Sequence, residues 1–174
     1  DKGVMEFANA ARILKESNIN LKMILVGEPD PENPSSITRS QVTAWQKEGI
    51  LEYWGHKDDM ENILQQSSIV VLPSYREGFP KILMEAAACG RAVITTDVPG
   101  CRDAIYNGVT GVLVPERNSL ELANSIKELA INPNLYKEMG KRGRKMAESR
   151  FDVDNVISKH FKIYNQVLSR INRT

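Results

Sequence analysis

Residues 69–85 read Ile-Val-Val-Leu-Pro-Ser-Tyr-Arg-Glu-Gly-Phe-Pro-Lys-Ile-Leu-Met-Glu, and this stretch decides the fold. Ile69–Leu72 is a short, continuous apolar run halted by Pro73-Ser74, as expected of a strand buried on both faces. Beyond the loop, Ile82 and Ala86 form one apolar row at helical spacing, and Leu83, Ala87 and Gly90 form another. A helix over Pro80–Cys89 turns both rows toward a core. Pro80 suits its first position, where the missing N–H would have been unpaired in any case. A buried strand leading through a loop into a helix is one unit of a parallel sheet.

The same unit recurs outward in both directions. Val4, Phe7, Ala8, Ala11, Ile13 and Leu14 predict a helix from Gly3 to Glu16, followed by a strand Leu21–Val26 closed by Gly27. Glu28–Ser36 reads as loop, because the prolines at 29, 31 and 34 block both ladder and helix. A polar helix Thr38–Lys47, a strand Ile50–Trp54 ended by Gly55, and a helix Met60–Gln66 lead into the opening stretch. After it come a strand Ala92–Thr95, a turn at Val98-Pro99-Gly100, a short helix Arg102–Tyr106 and a strand Val112–Val114. Helices Leu120–Ala130, Asn134–Ser149 and Val153–Ile171 close the chain, with Asn172-Arg173-Thr174 expected to fray. The fold class is α/β, a doubly wound parallel sheet with C-terminal helices, in one domain over residues 1–174. Ligands of such sheets bind beyond the carboxyl ends of the strands, so function belongs to the loops after Val26, Trp54, Leu72 and Thr95.

Composition narrows the classes. The 174 residues are 41% hydrophobic and 26% charged, with a net charge of +1. Such a balance gives no global basic field for nucleic acid, and no apolar run approaches transmembrane length, so a soluble domain is expected. Cys89 and Cys101 form no CxxC or zinc-like cluster and read as reduced thiols of a cytoplasmic protein. Asp1-Lys2-Gly3 runs directly into a helix with no signal-peptide pattern, which reads as the start of an excised fragment.

The amides of Gly78, Phe79, Lys81 and Ile82 are expected to point out of a helix start that carries partial positive charge, which makes an anion site. Gly78 has no Cβ to keep a phosphate away from the backbone. Glu77 lies before the helix and Glu85 about 7.5 Å along it at ~1.5 Å per residue, so two carboxylates flank the amides and each can accept hydrogen bonds from hydroxyls. A sugar on one side of a diphosphate and a ribose on the other would satisfy both. Spacing alone decides little: chance gives about one glutamate pair eight apart in a chain of this composition. Lys81 and Glu85, four apart, equally fit an ordinary surface ion pair.

Residues 73–115, from Pro-Ser-Tyr-Arg-Glu-Gly-Phe-Pro-Lys through Ala-Cys-Gly-Arg-Ala-Val-Ile-Thr-Thr-Asp-Val-Pro-Gly to Asn-Gly-Val-Thr-Gly-Val-Leu-Val-Pro, resemble the signature of family 4 retaining glycosyltransferases. The whole chain resembles that family's C-terminal domain. The resemblance implies a GT-B architecture, two Rossmann-like domains with the active site in the cleft between them. It implies that Glu77 contacts donor-sugar hydroxyls near the reacting carbon and that Glu85 holds the ribose. It further implies that the backbone of Gly78, Phe79, Pro80 and Lys81 meets the phosphates, that Lys2 pairs with the diphosphate, and that the loops at Gly27, His56 and Lys57 lie by the nucleotide. An arginine the family places just upstream of the lysine is absent, as is the acceptor-binding domain. Many members carry a Gly-x-Gly turn where this chain has Gly27-Glu28-Pro29 and a longer proline-rich loop, which resembles a branch building capsular, O-antigen or other lipid-linked polysaccharides.

Other candidates have plainer readings. His56 and Lys57 fit either base contact or a solvated loop. His160 sits in the last helix and reads as core or surface, and Trp45 and Trp54 as packing residues. Asp58 and Asp59 read as a helix cap, with no metal set among the acidic residues. The run Lys141-Arg142-Gly143-Arg144-Lys145 reads as a solvated helix face ahead of a membrane-surface patch. The turn Asp97–Gly100 resembles the family's glycine turn near the donor sugar.

The expected function is transfer of a hexose or N-acetylhexosamine, with retention, from a UDP- or GDP-sugar to a growing, lipid-linked glycan, without a metal ion. The acceptor would bind through the absent domain, and the full-length protein would work in the cytoplasm or at the inner face of the membrane as a peripheral protein. A GT-B nucleotide-sugar epimerase and a non-catalytic nucleotide-binding module are the alternatives.

Overall fold

The computed structural model describes residues 1–30, 32–33 and 35–171; Pro31 and Pro34 of the expected loop, and the expected frayed end Asn172–Thr174, lie outside the described residues. In chain order the elements are α1 (Val4–Glu16), β1 (Ile24–Val26), α2 (Arg39–Glu48), β2 (Glu52–Gly55), α3 (Met60–Gln66), β3 (Ile69–Leu72), α4 (Lys81–Ala88), β4 (Ala92–Thr96), α5 (Pro99–Ala104), β5 (Gly111–Val114), α6 (Ser119–Ile131), α7 (Pro133–Arg150) and α8 (Val153–Ile171).

Every strand pairing is parallel. β1 pairs with β2, and β4 lies between β3 and β5, giving two ladders among the described residues. β1 is three residues long where the run 21–26 predicts six. All three of its residues pair with β2, with a register shift between Leu25 and Val26 that skips Trp54. The core nonetheless spans both ladders: Phe7, Ala11 and Leu14 of α1 pack in one cluster with Met23, Trp45, Ile50, Ile94 of β4, and Leu122 and Ile126 of α6. On the other face Val93 packs with Leu64 of α3, Leu83 and Ala86 of α4, and Cys101 and Ala104 of α5. Alternate residues of β4 thus feed opposite cores, because successive strand side chains point to opposite faces. Helices on both faces of parallel strands are the doubly wound arrangement.

Two helix starts differ from the sequence reading. Pro80 is not the first residue of α4 but its cap: its φ of −73° suits either region, while its ψ of 117° is extended, and its carbonyl accepts from Leu83 N–H at 3.1 Å. The helix proper begins at Lys81. α5 begins three residues earlier than expected, because Val98 takes the extended cap position and Pro99 the first helical one. Proline's preference for that position is satisfied here instead. Ile105, expected inside this helix, is extended at φ −136° and ψ 162°. Thr38 closes a capping box on α2, bonding to and receiving a bond from Gln41, so it lies just outside that helix.

α8 stands apart in its surface. Val153, Ile157, Phe161, Tyr164 and Leu168 recur at helical spacing and are all exposed. No helix among the described residues is long and apolar enough to cross a membrane.

Candidate functional site

The carboxyl ends of β3 and β4 are stitched together by threonine hydroxyls. Thr95 Oγ1 donates to Leu72 O at 2.7 Å, and Thr96 Oγ1 donates to Ser74 O. Both threonines are fully buried, so each hydroxyl needs such an acceptor, and each finds one on the segment leaving β3. Their bonds fix the start of the β3–α4 loop.

The N-terminal segment runs alongside that loop. Gly3 caps α1 in the left-handed conformation, φ 67°, and a Cβ built there would lie 1.9 Å from Pro73 O. Only glycine permits both. Tyr75 N–H donates to Asp1 O at 2.9 Å, and the Tyr75 hydroxyl donates to the Glu6 carboxylate. Between these ties, Lys2 Nζ meets Glu77 Oε1 at 2.7 Å, with the Glu77 side chain 10% exposed and the Lys2 side chain 65%. Arg117 Cζ lies 4.6 Å from the Tyr75 ring centroid, a cation–π contact that covers the ring. Burial first, and then the bond to Glu6, pushes the Tyr75 phenol up to about 12, so it stays protonated and donating.

The loop is buttressed from α5 as well. A Cβ on Gly100 would lie 2.1 Å from Gly78 O and 2.4 Å from Glu77 O, so the first turn of α5 rests directly on the Glu77–Gly78 backbone. The expected turn Asp97–Gly100 therefore does adjoin this loop. Asp97 itself is engaged by Arg102, at 2.6 Å. Phe79 packs edge-on against Phe151, the C-cap of α7, with ring centroids 5.6 Å apart.

Among the described residues the amides of Gly78, Phe79, Lys81 and Ile82 have no hydrogen-bond acceptor. They gather at the start of α4, whose buried face of Leu83, Ala86 and Ala87 fixes the helix in the core. A Cβ on Gly78 would meet nothing within 4 Å, so its free side is open space. On α4, Lys81 Nζ and Glu85 Oε1 are 3.2 Å apart, with Lys81 83% exposed and Glu85 35%. The pair is a surface contact, as its plain reading expects, and its exposure leaves it worth little to stability.

The remaining candidates are more loosely tied. Gly27 follows β1 and donates to Gly55 O at 2.9 Å, joining the carboxyl ends of β1 and β2. His56 Nε2 lies 3.1 Å from Asp58 Oδ1, and His56, Lys57 and Asp58 are exposed. Among the described residues no hydrogen bond links Gly27, His56 or Lys57 to the Glu77–Glu85 segment. Asp59 caps α3 by accepting from Asn62 N–H at 3.0 Å. Trp45 is buried; Trp54 lies under Lys22; His160 is on the exposed face of α8. Cys89 and Cys101 are free thiols, both pushed up chiefly by burial. Of the basic run, Arg142 and Arg144 pair with Glu138 and Glu148 one turn away, as a solvated helix face does. A cleft of about 290 Å³ opens between Leu14, Asn18, Met23 and Ile50, away from this loop.

Glu6, Tyr75, Arg117 and the close backbone contacts of Gly3 and Gly100 escaped the sequence reading, although the turn Asp97–Gly100 was expected near the donor sugar from the family resemblance. Gly3 and Gly100 had a signal, each being a glycine beside a helix start. Glu6, Tyr75 and Arg117 had none, since the tyrosine meets partners 69 residues before it and 42 after it.

Residues 1–146 match the model of the family described as glycosyl transferases group 1, and the chain belongs to that family. It is 33% identical over 98% of its length to the N,N'-diacetylbacillosaminyl-diphospho-undecaprenol alpha-1,3-N-acetylgalactosaminyltransferase of Campylobacter jejuni, and covers 43% of that protein. It is 29% identical over 97% of its length to the capsular polysaccharide biosynthesis glycosyltransferase CapM of Staphylococcus aureus, of which it covers 44%. The chain thus spans less than half the length of these relatives. In fold it matches Anabaena HepE in complex with UDP-glucose, with a TM-score of 0.83 at 23% identity over 95% of this chain and 45% of that one. It also matches the sucrose-phosphate synthase of Thermosynechococcus elongatus, with a TM-score of 0.78 at 24% identity over 95% and 43% of the two chains. The fold is that of one Rossmann-like half of a GT-B transferase.

Proposed function

We propose that this chain is the donor-binding half of a retaining glycosyltransferase that takes a hexose or N-acetylhexosamine from a UDP- or GDP-sugar. The observation that carries the reading is the group of four unpaired amides at the start of α4, with Glu77 and Lys2 on one flank and Glu85 on the other. Backbone N–H groups at a helix start are suited to phosphate, and a fixed array of them needs no reorganisation as charge develops on the leaving diphosphate. Lys2 adds a full positive charge. Glu77 orients the sugar and stabilises positive character at its reacting carbon, and Glu85 takes the ribose hydroxyls. Gly27, His56 and Lys57 lie by the base. No divalent cation is required, because Lys2 and the amides neutralise the diphosphate.

The acceptor is a lipid-linked glycan, bound by protein beyond this chain, which places the full-length protein in the cytoplasm or against the inner face of the membrane. The undecaprenol-linked substrate in the name of the Campylobacter relative, and the UDP-glucose bound by HepE, support acceptor and donor class respectively.

Calorimetric titration of UDP and GDP into the full-length protein tests the reading. Glu85→Ala is expected to weaken the preferred nucleotide about tenfold or more, the loss of charged hydrogen bonds to two hydroxyls. Equal affinities for variant and wild type would remove the ribose role and, with it, the placement of the donor.

A further inference from the structure

We infer that Tyr75, held by Glu6, is a positioning residue that sets the Lys2 ammonium against Glu77. The inference rests on the reading above, in which those two charges face the diphosphate and the sugar. Tyr75 has no place in that chemistry, since its hydroxyl is spent on a carboxylate of α1.

Lys2 reaches Glu77 from the segment just before α1. Its side chain is 65% exposed and ends a flexible four-carbon stem, and an ion pair made by such a side chain gains little over solvent. The 2.7 Å contact with Glu77 therefore depends on where the backbone delivers Lys2. That delivery is made by three ties between residues 1–6 and residues 73–75. Gly3 lies against Pro73 O, Asp1 O accepts from Tyr75 N–H, and Glu6 accepts from the Tyr75 hydroxyl.

Tyr75 supplies two of the three, one from its backbone and one from its side chain, and stands two residues before Glu77. Its ring is clamped on another side by Arg117, which holds a left-handed φ of 56° uncommon outside glycine. A phenol fixed at both ends spans from the β3–α4 loop to the first turn of α1. Removing its hydroxyl cuts the tie to Glu6 and loosens the α1 start against the loop, and Lys2 with it, while the contacts at Asp1 and Gly3 remain. The amides at the start of α4 belong to the loop itself and stay in place. The loss should therefore fall on the charge that Lys2 contributes to diphosphate binding, and on nothing else.

Titrations into the full-length protein test this, using whichever of UDP or GDP binds wild type more tightly, together with its parent nucleoside. Tyr75→Phe is expected to weaken the diphosphate about fivefold while leaving the nucleoside within about twofold of wild type, and to add less than about twofold in a Lys2→Ala background. Glu6→Gln keeps an acceptor for the phenol and should bind as wild type does; Glu6→Leu should reproduce Tyr75→Phe. The inference is overturned if Tyr75→Phe binds the diphosphate normally while Lys2→Ala does not, if the two losses multiply, or if nucleoside and diphosphate weaken together. A Lys2→Ala variant of unchanged affinity would instead remove the diphosphate role of Lys2, and the positioning role would fall with it.

Discussion

A methyl group at position 100 has nowhere to go. It would sit 2.1 Å from Gly78 O and 2.5 Å from Gly78 C, both backbone atoms that cannot swing aside as a side-chain tip can. Either the first turn of α5 or the Glu77–Gly78 loop must shift. Gly100→Ala is accordingly expected to cost roughly 1–3 kcal/mol of stability, typical of overpacking a close contact. Urea unfolding measures it, and a change under about 0.5 kcal/mol, the scale of an ordinary surface substitution, would show that the two loops are not in rigid contact. The helix start, the open side of Gly78 and the positions of Glu77 and Glu85 on either side of it could be read from the sequence because all lie within nine residues. What presses on that loop could not. Gly100 looked like a turn, and its true constraint is a backbone 22 residues away that only the folded chain brings near.

At the scale of elements, α4 shows what periodicity can and cannot settle. The rows Ile82–Ala86 and Leu83–Ala87 correctly gave its buried face, and Leu83 is the fully buried anchor of the cluster beneath it. Leu83→Ala should therefore destabilise the protein by about 2–5 kcal/mol in denaturant unfolding, transfer loss and cavity combined. Lys81→Ala, on the solvent side of the same helix, should change stability by less than about 0.5 kcal/mol. Comparable effects at both positions would mean that α4 is not seated through Leu83. The helix start was harder to read, because proline's fixed φ is compatible with both the cap and the first turn, and only ψ separates them. The same ambiguity hid the start of α5 at Pro99. For β1 the run 21–26 overstated the strand, since only Ile24–Val26 pair with β2.

At the scale of the whole molecule, helices on two faces of parallel strands were legible from the alternation of short apolar runs with amphipathic segments. The division into two ladders was not, because residues of both pack against one core cluster and share the same apolar pattern. The apolar residues of α8 that recur at helical spacing are exposed in this chain. The Campylobacter and Staphylococcus relatives are each more than twice as long as this chain.

The donor placement is tested most directly by a crystal structure of the full-length protein with UDP or GDP, whichever binds more tightly. The account predicts phosphate oxygens within about 3.2 Å of the amides of Gly78, Phe79, Lys81 or Ile82, with Glu85 on the ribose hydroxyls and Lys2 beside the diphosphate. A nucleotide seated elsewhere, with those amides facing only solvent, would contradict it.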